Sequence, residues 1–169
     1  MTVRVNKDAF NIREKLSELE GLANAGASKV IASATKNTGM TLNTVSTPVQ
    51  FPVTTIDTHG KFSNTNSRFT VPVAGDYFVM FNVNILSNTN VSNVRMQVDG
   101  SAVTGYTISN TNHPRMNFTM SGILDGLGVG QYIEIGAFVN TGTVAMDNAG
   151  RLMIYKLWYR SITEASKVS

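Results

Sequence analysis

At 169 residues, with a net charge of +3 and 15% charged residues, the chain is sized for one domain plus a tail and lacks the strong basic excess of a dedicated nucleic-acid binder. The absence of cysteine excludes disulfides, thiol nucleophiles and Cys-based metal sites. The 17 Asn, 19 Thr and 14 Ser point instead to a β-rich, polar and weakly charged surface.

Charge is distributed as +1, −1 and +3 over residues 1–29, 30–148 and 149–169. The C-terminal excess is a scatter of Arg151, Lys156, Arg160 and Lys167 opposed by Glu164, not a stripe interleaved with exposed aromatics. No apolar run approaches the roughly 20 residues of a membrane-spanning helix. Met1 to Phe10 lacks the charged-then-apolar order of a secretory signal. The expectation is a soluble protein with neither nucleic acid nor membrane as partner.

In chain order, the first segment, VNKDAFNIREKLSELEGL, is the clear helical candidate. Ile12, Leu16 and Leu19 fall at i, i+4 and i+7 on one face, with Arg13, Glu14, Lys15 and Glu18 on the others. Asn11 followed by Glu14 fits an N-terminal cap, and Gly21 is a plausible stop. So short a helix is marginal alone, so Ile12, Leu16 and Leu19 are candidate anchors that dock on another protein or bundle with copies of themselves. Residues 23–47 show neither the helix nor the strand period and read as a polar linker or extended arm, held in place by neighbouring subunits.

Strands are expected at residues 49–51, 61–62, 68–72, 76–86, 93–99, 103–108, 115–124, 131–139 and 150–159, separated by turn signals such as His59-Gly60, Ala74-Gly75 and Asp99-Gly100. Arg68 to Phe81, RFTVPVAGDYFVMF, holds two strands and the turn between them. Tyr77, Val79, Phe81, Val83 and Ile85 alternate as a half-buried strand does, and Met116, Phe118, Met120 and Leu124 repeat the pattern. Successive short strands without intervening helices predict an all-β antiparallel sandwich.

FTVPVAGDYFVMF resembles the signature of the complement C1q globular-head family, which shares its fold with tumour necrosis factor. The matching positions are Phe69, Pro72, Gly75, Tyr77 and Phe81. LDGLGVGQYIEI and RLMIYKL are similar to the family's last two strands and VQFPVTT to its first, so the resemblance spans about residues 48–157. It departs where Ser67 replaces a usual glycine and where Gln131 replaces a usual aspartate, which removes a carboxylate and with it any reason to carry over a calcium site. The resemblance implies a ten-stranded C1q/TNF-like jelly roll assembled as a homotrimer with one sheet of each protomer facing the axis. Apolar residues on both faces of the long strands agree, since two apolar faces need two coverings. Trimer-interface or core candidates are Phe69, Tyr77, Phe78, Met80, Phe81, Met153, Tyr155 and Leu157. The implied division is an anchor helix and arm at 1–47, a jelly roll at 48–159 and a tail at 160–169.

VRVNKDAFNIREKLSELE is also similar to the opening segments of bacteriophage structural proteins. Joined to the polar arm, the knob and the C-terminal WYRSITEASKVS, it implies a virion surface protein. The leading expectation is a capsid decoration or cement protein, located on the virion and partnered by itself, by the major capsid protein or by another virion protein. The alternative is a receptor-binding or glycan-binding knob of a tail fibre or head spike. In that case Asn88, Asn90, Asn110, Asn112 and His113 are the recognition-loop candidates, and a host-surface glycan is a further partner.

No catalytic or metal constellation is expected, and no cofactor. His59 and His113 sit beside turn residues with no nucleophile elbow or HExxH spacing around them. Asp57, Asp76, Asp99, Asp125 and Asp147 are dispersed, each in or beside a turn where local hydrogen bonding favours aspartate. Gly126, Gly128 and Gly130 precede a strand, not a helix, so they fail the dinucleotide fingerprint.

Overall fold

The computed structural model describes residues 29–88, 91–110 and 113–157. The expected anchor helix and C-terminal tail, and Asn90 and Asn112, lie outside the described residues. Twelve strands form in order: β1 (Ile31–Lys36), β2 (Met40–Leu42), β3 (Thr47–Pro48), β4 (Val53–Asp57), β5 (Phe62–Ser63), β6 (Arg68–Thr70), β7 (Gly75–Asn88), β8 (Ser92–Val98), β9 (Ser101–Asn110), β10 (His113–Leu127), β11 (Tyr132–Val139) and β12 (Val144–Lys156).

Two antiparallel sheets result. The first runs β10-β7-β12-β1-β4, with β2 also on β12, and the second runs β5-β6-β11-β8-β9, with β3 also on β11. Leaving aside the short β2 and β3, these are the ten strands of a jelly roll. The sheets face each other through the alternating sides of their long strands. Tyr77, Val79, Phe81, Val83 and Ile85 of β7 and Leu152 and Ile154 of β12 point inward, against Val94 and Met96 of β8 and Ile133, Ile135 and Val139 of β11, and all are buried.

The Arg68 to Phe81 stretch does contain two strands and a turn, but β6 and β7 belong to opposite sheets. The turn is thus a crossing between layers. The Tyr77 hydroxyl donates to Val73 O at 2.6 Å, and its ring lies 6.0 Å from that of Phe69, which pins the crossing at both ends. Ser67, in the place of the family's usual glycine, keeps glycine's left-handed backbone at φ 52°. Its buried Oγ accepts the Phe51 N–H at 2.7 Å, a bond glycine could not supply and one that offsets the local strain.

The polar arm expected through residue 47 is instead folded from Ile31. β1 pairs with β12 on one side and β4 on the other. Its Ala32 and Ala34 are buried against the opposite sheet, where two layers that approach closely need small residues, and Ser33 on the other side is buried as well, its Oγ accepting from Arg151 Nε. They give no hydropathy signal, and so the strand is missed by period counting. The strand expected at residues 49–51 is likewise displaced: Val49 and Phe51 are buried, but pairing falls on β3 and β4. Strand β12 starts six residues before the expected position, and its register shifts between Met146 and Gly150.

Candidate assembly face

Alternation gives the first sheet a second face, turned away from the core. Its residues fall into rows across the strands. Ile123, Phe78, Tyr155 and Ile31 are cross-strand partners from β10, β7, β12 and β1. The next row is Ser121, Met80, Met153, Ser33 and Ile56, reaching β4. The third is Thr119, Asn82, Arg151, Thr35 and Val53. Beyond it Asn84 pairs with Asn117, and Leu86 with Arg115. Along its length the face therefore grades from apolar to polar.

Six large hydrophobic side chains are exposed among the described residues, and four of them, Val53, Ile56, Leu86 and Ile123, lie on this face. Ile56 is 45% and Ile123 39% exposed, while Phe78, Met80, Met153 and Tyr155 between them are half-buried. A concentration of this kind on one side of a sheet marks a surface that another surface covers. The second sheet's outer face differs. There Glu134 is buried and accepts from Arg68 Nε at 2.7 Å, Arg68 stacks 4.3 Å over the Tyr132 ring, and Arg95 lies 5.0 Å from the Phe138 ring centroid. Glu134 and Arg68 are thus paired within the protomer, while Arg95 rests on a ring with its buried Nε lacking a hydrogen-bond partner among the described residues.

The interface candidates therefore separate. Phe78, Met80, Met153 and Tyr155 stand on the outer face, and Leu157 lies half-buried just past β12. Phe69, Tyr77 and Phe81 are core residues with no outward surface. Arg151 and Asn82, at the centre of the face, are not apolar and so escaped a search for apolar interface residues. The signal was available: Arg151 shares the period-2 side of its strand with Met153 and Tyr155. Met80, Asn82, Thr119, Arg151 and Met153 line a concavity of about 250 Å³ on this face.

Polar groups at the far end of the face are tied together. Asn117 Nδ2 donates to Asn84 Oδ1 at 2.7 Å and the Thr119 hydroxyl to Asn117 Oδ1 at 2.6 Å. Arg115 Nη2 bonds Asp147; that bond, first, with the Asn148 amide and the charges of Arg115 and Lys36, holds the Asp147 carboxyl below the usual aspartate range. Burial lowers the affinity of Lys36 for its proton, partly offset by the charge of Asp147. The Lys36 ammonium donates to Thr38 O.

Both described ends of the chain, at Lys29 and Leu157, leave the first sheet beside its apolar row. Of the recognition-loop candidates, Asn88, Asn110 and His113 occupy the other end of the sandwich, where Asn88 pairs with His113 and Asn110 with Ser92. Three further carboxylates are structural. Asp57 accepts the His59 and Phe62 amides at 3.3 and 2.7 Å, Asp76 the Gly126 amide at 2.7 Å, and Asp99 the Tyr132 amide at 2.9 Å. His59 Nδ1 lies 2.9 Å from the Thr58 hydroxyl. Gln131, in place of the family's usual aspartate, donates to Asp99 Oδ2 at 2.8 Å and accepts from the Gly128 amide at 2.7 Å, so its amide braces two turns. Among the described residues no three His, Asp or Glu side chains converge as metal ligands, and no helix is long and apolar enough to cross a membrane.

The family model for the C1q domain matches residues 32–146. The globular domain of zebrafish complement 1qA protein is similar in fold, with a TM-score of 0.62 at 16% identity over 79% of this chain and 100% of that one. The Eiger TNF of S. frugiperda is similar too, with a TM-score of 0.59 at 12% identity over 79% of this chain and 95% of that one. No curated protein matches the sequence.

Proposed function

The chain belongs to the C1q domain family, and from that premise we propose that it is a non-enzymatic assembly module, a homotrimer that closes the outer face of the first sheet around a three-fold axis. The observation that carries this reading is the pair of largely apolar rows through Phe78 and Met80, which span four or five strands and have no cover among the described residues. Replacing Met80 with Asp tests it. A carboxylate in a desolvated three-fold contact costs several kcal/mol per copy, so the variant should run as a folded monomer by light scattering with an unchanged β spectrum. A wild-type monomer, or a Met80→Asp trimer, refutes the reading.

The finer proposal is a capsid decoration or cement protein on a bacteriophage virion. Its support is the likeness of the N-terminal segment to phage structural proteins, together with the described ends at Lys29 and Leu157, which leave the first sheet side by side. Contacts made only in the assembled shell, to the major capsid protein or another virion protein, stabilise the particle by mass action. Leu16→Asp with Leu19→Asp should leave the trimer folded but unincorporated, and particles without the protein should break under milder heat or osmotic shock. Full incorporation of the double variant overturns the anchor. A second reading, a knob that binds a host-surface glycan or receptor, is favoured by the Asn-rich loop end lying opposite the chain ends; excess free trimer would then block adsorption.

A further inference from the structure

We propose that the concavity between Asn82 and Arg151 is one third of an inorganic oxyanion site, completed where three copies meet on the outer face; the inference rests on the trimer reading above. Arg151 and Asn82 are cross-strand partners in the third row of that face, directly beside the apolar rows that the assembly would cover. The Arg151 guanidinium makes one hydrogen bond among the described residues, from Nε to Ser33 Oγ at 3.3 Å, which leaves both terminal nitrogens without a protein acceptor in a side chain that lines the concavity. The Asn82 amide has no side-chain hydrogen bond among the described residues. The Thr119 hydroxyl, already donating to Asn117, contributes wall and not a donor.

No carboxylate lines the concavity. Asp57, Asp99 and Glu134 accept hydrogen bonds elsewhere, Asp147 is held by Arg115 at the polar end of the face, and Asp76, which accepts the Gly126 amide, and Asp125 lie beyond the apolar row at the opposite end. Covering the face would thus take three guanidinium groups out of water with no carboxylate beside them in the concavity, and an uncompensated buried charge is strongly unfavourable. An anion from solution removes that conflict. A tetrahedral oxyanion suits the donors, since a guanidinium binds it through two parallel N–H bonds, and the 250 Å³ concavity exceeds by several fold the roughly 30 Å³ share of a single water.

The test uses the full chain. Light scattering establishes the oligomer in anion-poor buffer, and calorimetric titration with inorganic phosphate, sulfate and chloride at matched ionic strength reads binding. The expected result is saturable phosphate or sulfate binding at one anion per three chains, weaker chloride binding, and a saturable rise in Tm. Arg151→Gln should abolish the binding and Asn82→Ala weaken it about tenfold, while Arg151→Met should trimerise without any anion. A trimer that binds no oxyanion, binds one per chain, or binds equally well as Arg151→Gln refutes the site and leaves the trimer standing. A monomer in all buffers refutes both.

Discussion

Strands β9 and β10 are the edges of opposite sheets on the same side of the sandwich, and Tyr106 joins them. Its hydroxyl donates to Ile123 O at 3.0 Å and accepts from Ile123 N at 3.2 Å, with the ring lying over Gly122. A Cβ at Gly122 would fall onto the ring, with Cζ at 2.6 Å and Cδ1 at 2.8 Å. The ring cannot swing aside cheaply, because its far end is held to the backbone. Gly122→Ala therefore sacrifices two hydrogen bonds at about 1 kcal/mol each or accepts about 1–3 kcal/mol of overpacking, for a loss of roughly 1–3 kcal/mol. At about 2–4 °C per kcal/mol for a chain of this size, Tm should fall by roughly 2–12 °C. Thermal melts at fixed protomer concentration measure this, and a double-mutant cycle isolates the cause. In a Tyr106→Ala background Gly122→Ala should be within about 0.5 kcal/mol of neutral, whereas in Tyr106→Phe, which keeps the ring, it should remain damaging. Additive losses for Gly122→Ala and Tyr106→Ala would refute the lock.

Two predictions concern pH. The Asp147 carboxyl titrates below its ordinary value of about 3.9, so its bond to Arg115 contributes stability above that value and loses it as pH falls through the folded value; Asp147→Asn should flatten the acid limb of a denaturant-midpoint profile. Lys36 has the opposite sense, because burial lowers its folded pKa below the unfolded one. Its penalty is full below the folded value and relieved as pH rises from there toward about 10.4, so Lys36→Met should be more stable than wild type at neutral pH and lose the alkaline rise. An unchanged profile in either variant contradicts the corresponding assignment.

The long strands were legible because their two sides differ. In β7 the inward set from Tyr77 to Ile85 and the turn at Gly75 sufficed to place the strand, and β10 and β11 followed the same logic. β1 was not legible: Ala32, Ser33 and Ala34 are buried by closeness of neighbours, a property of the sheet and not of the residues. The first part of β12 was hidden for a related reason, since Asp147, Asn148 and Ala149 occupy an irregular register against β7 where alternation breaks. Apolar character on both sides of β7 and β12 did reveal an outward face, but did not sort Tyr77 and Phe81 from Phe78 and Met80. Only a fixed register against partners does that. Arg151 was overlooked because a lone cation at the end of a strand usually belongs to solvent; it became informative once its row was known.

The polarity of the knob also bears on how such a chain can diversify. The described ends at Lys29 and Leu157 and the apolar rows share one end of the first sheet, and Asn88, Asn110 and His113 share the other end of the sandwich. In the proposed trimer, substitutions at the tips would not touch the surface that joins the copies, so drift there would be nearly free of an assembly penalty. Substitutions in the rows, by contrast, would be repeated three times in a symmetric contact and filtered hard. Lineages carrying this scaffold are therefore expected to keep the rows and vary the tips, which makes the knob a durable mount for changing surfaces.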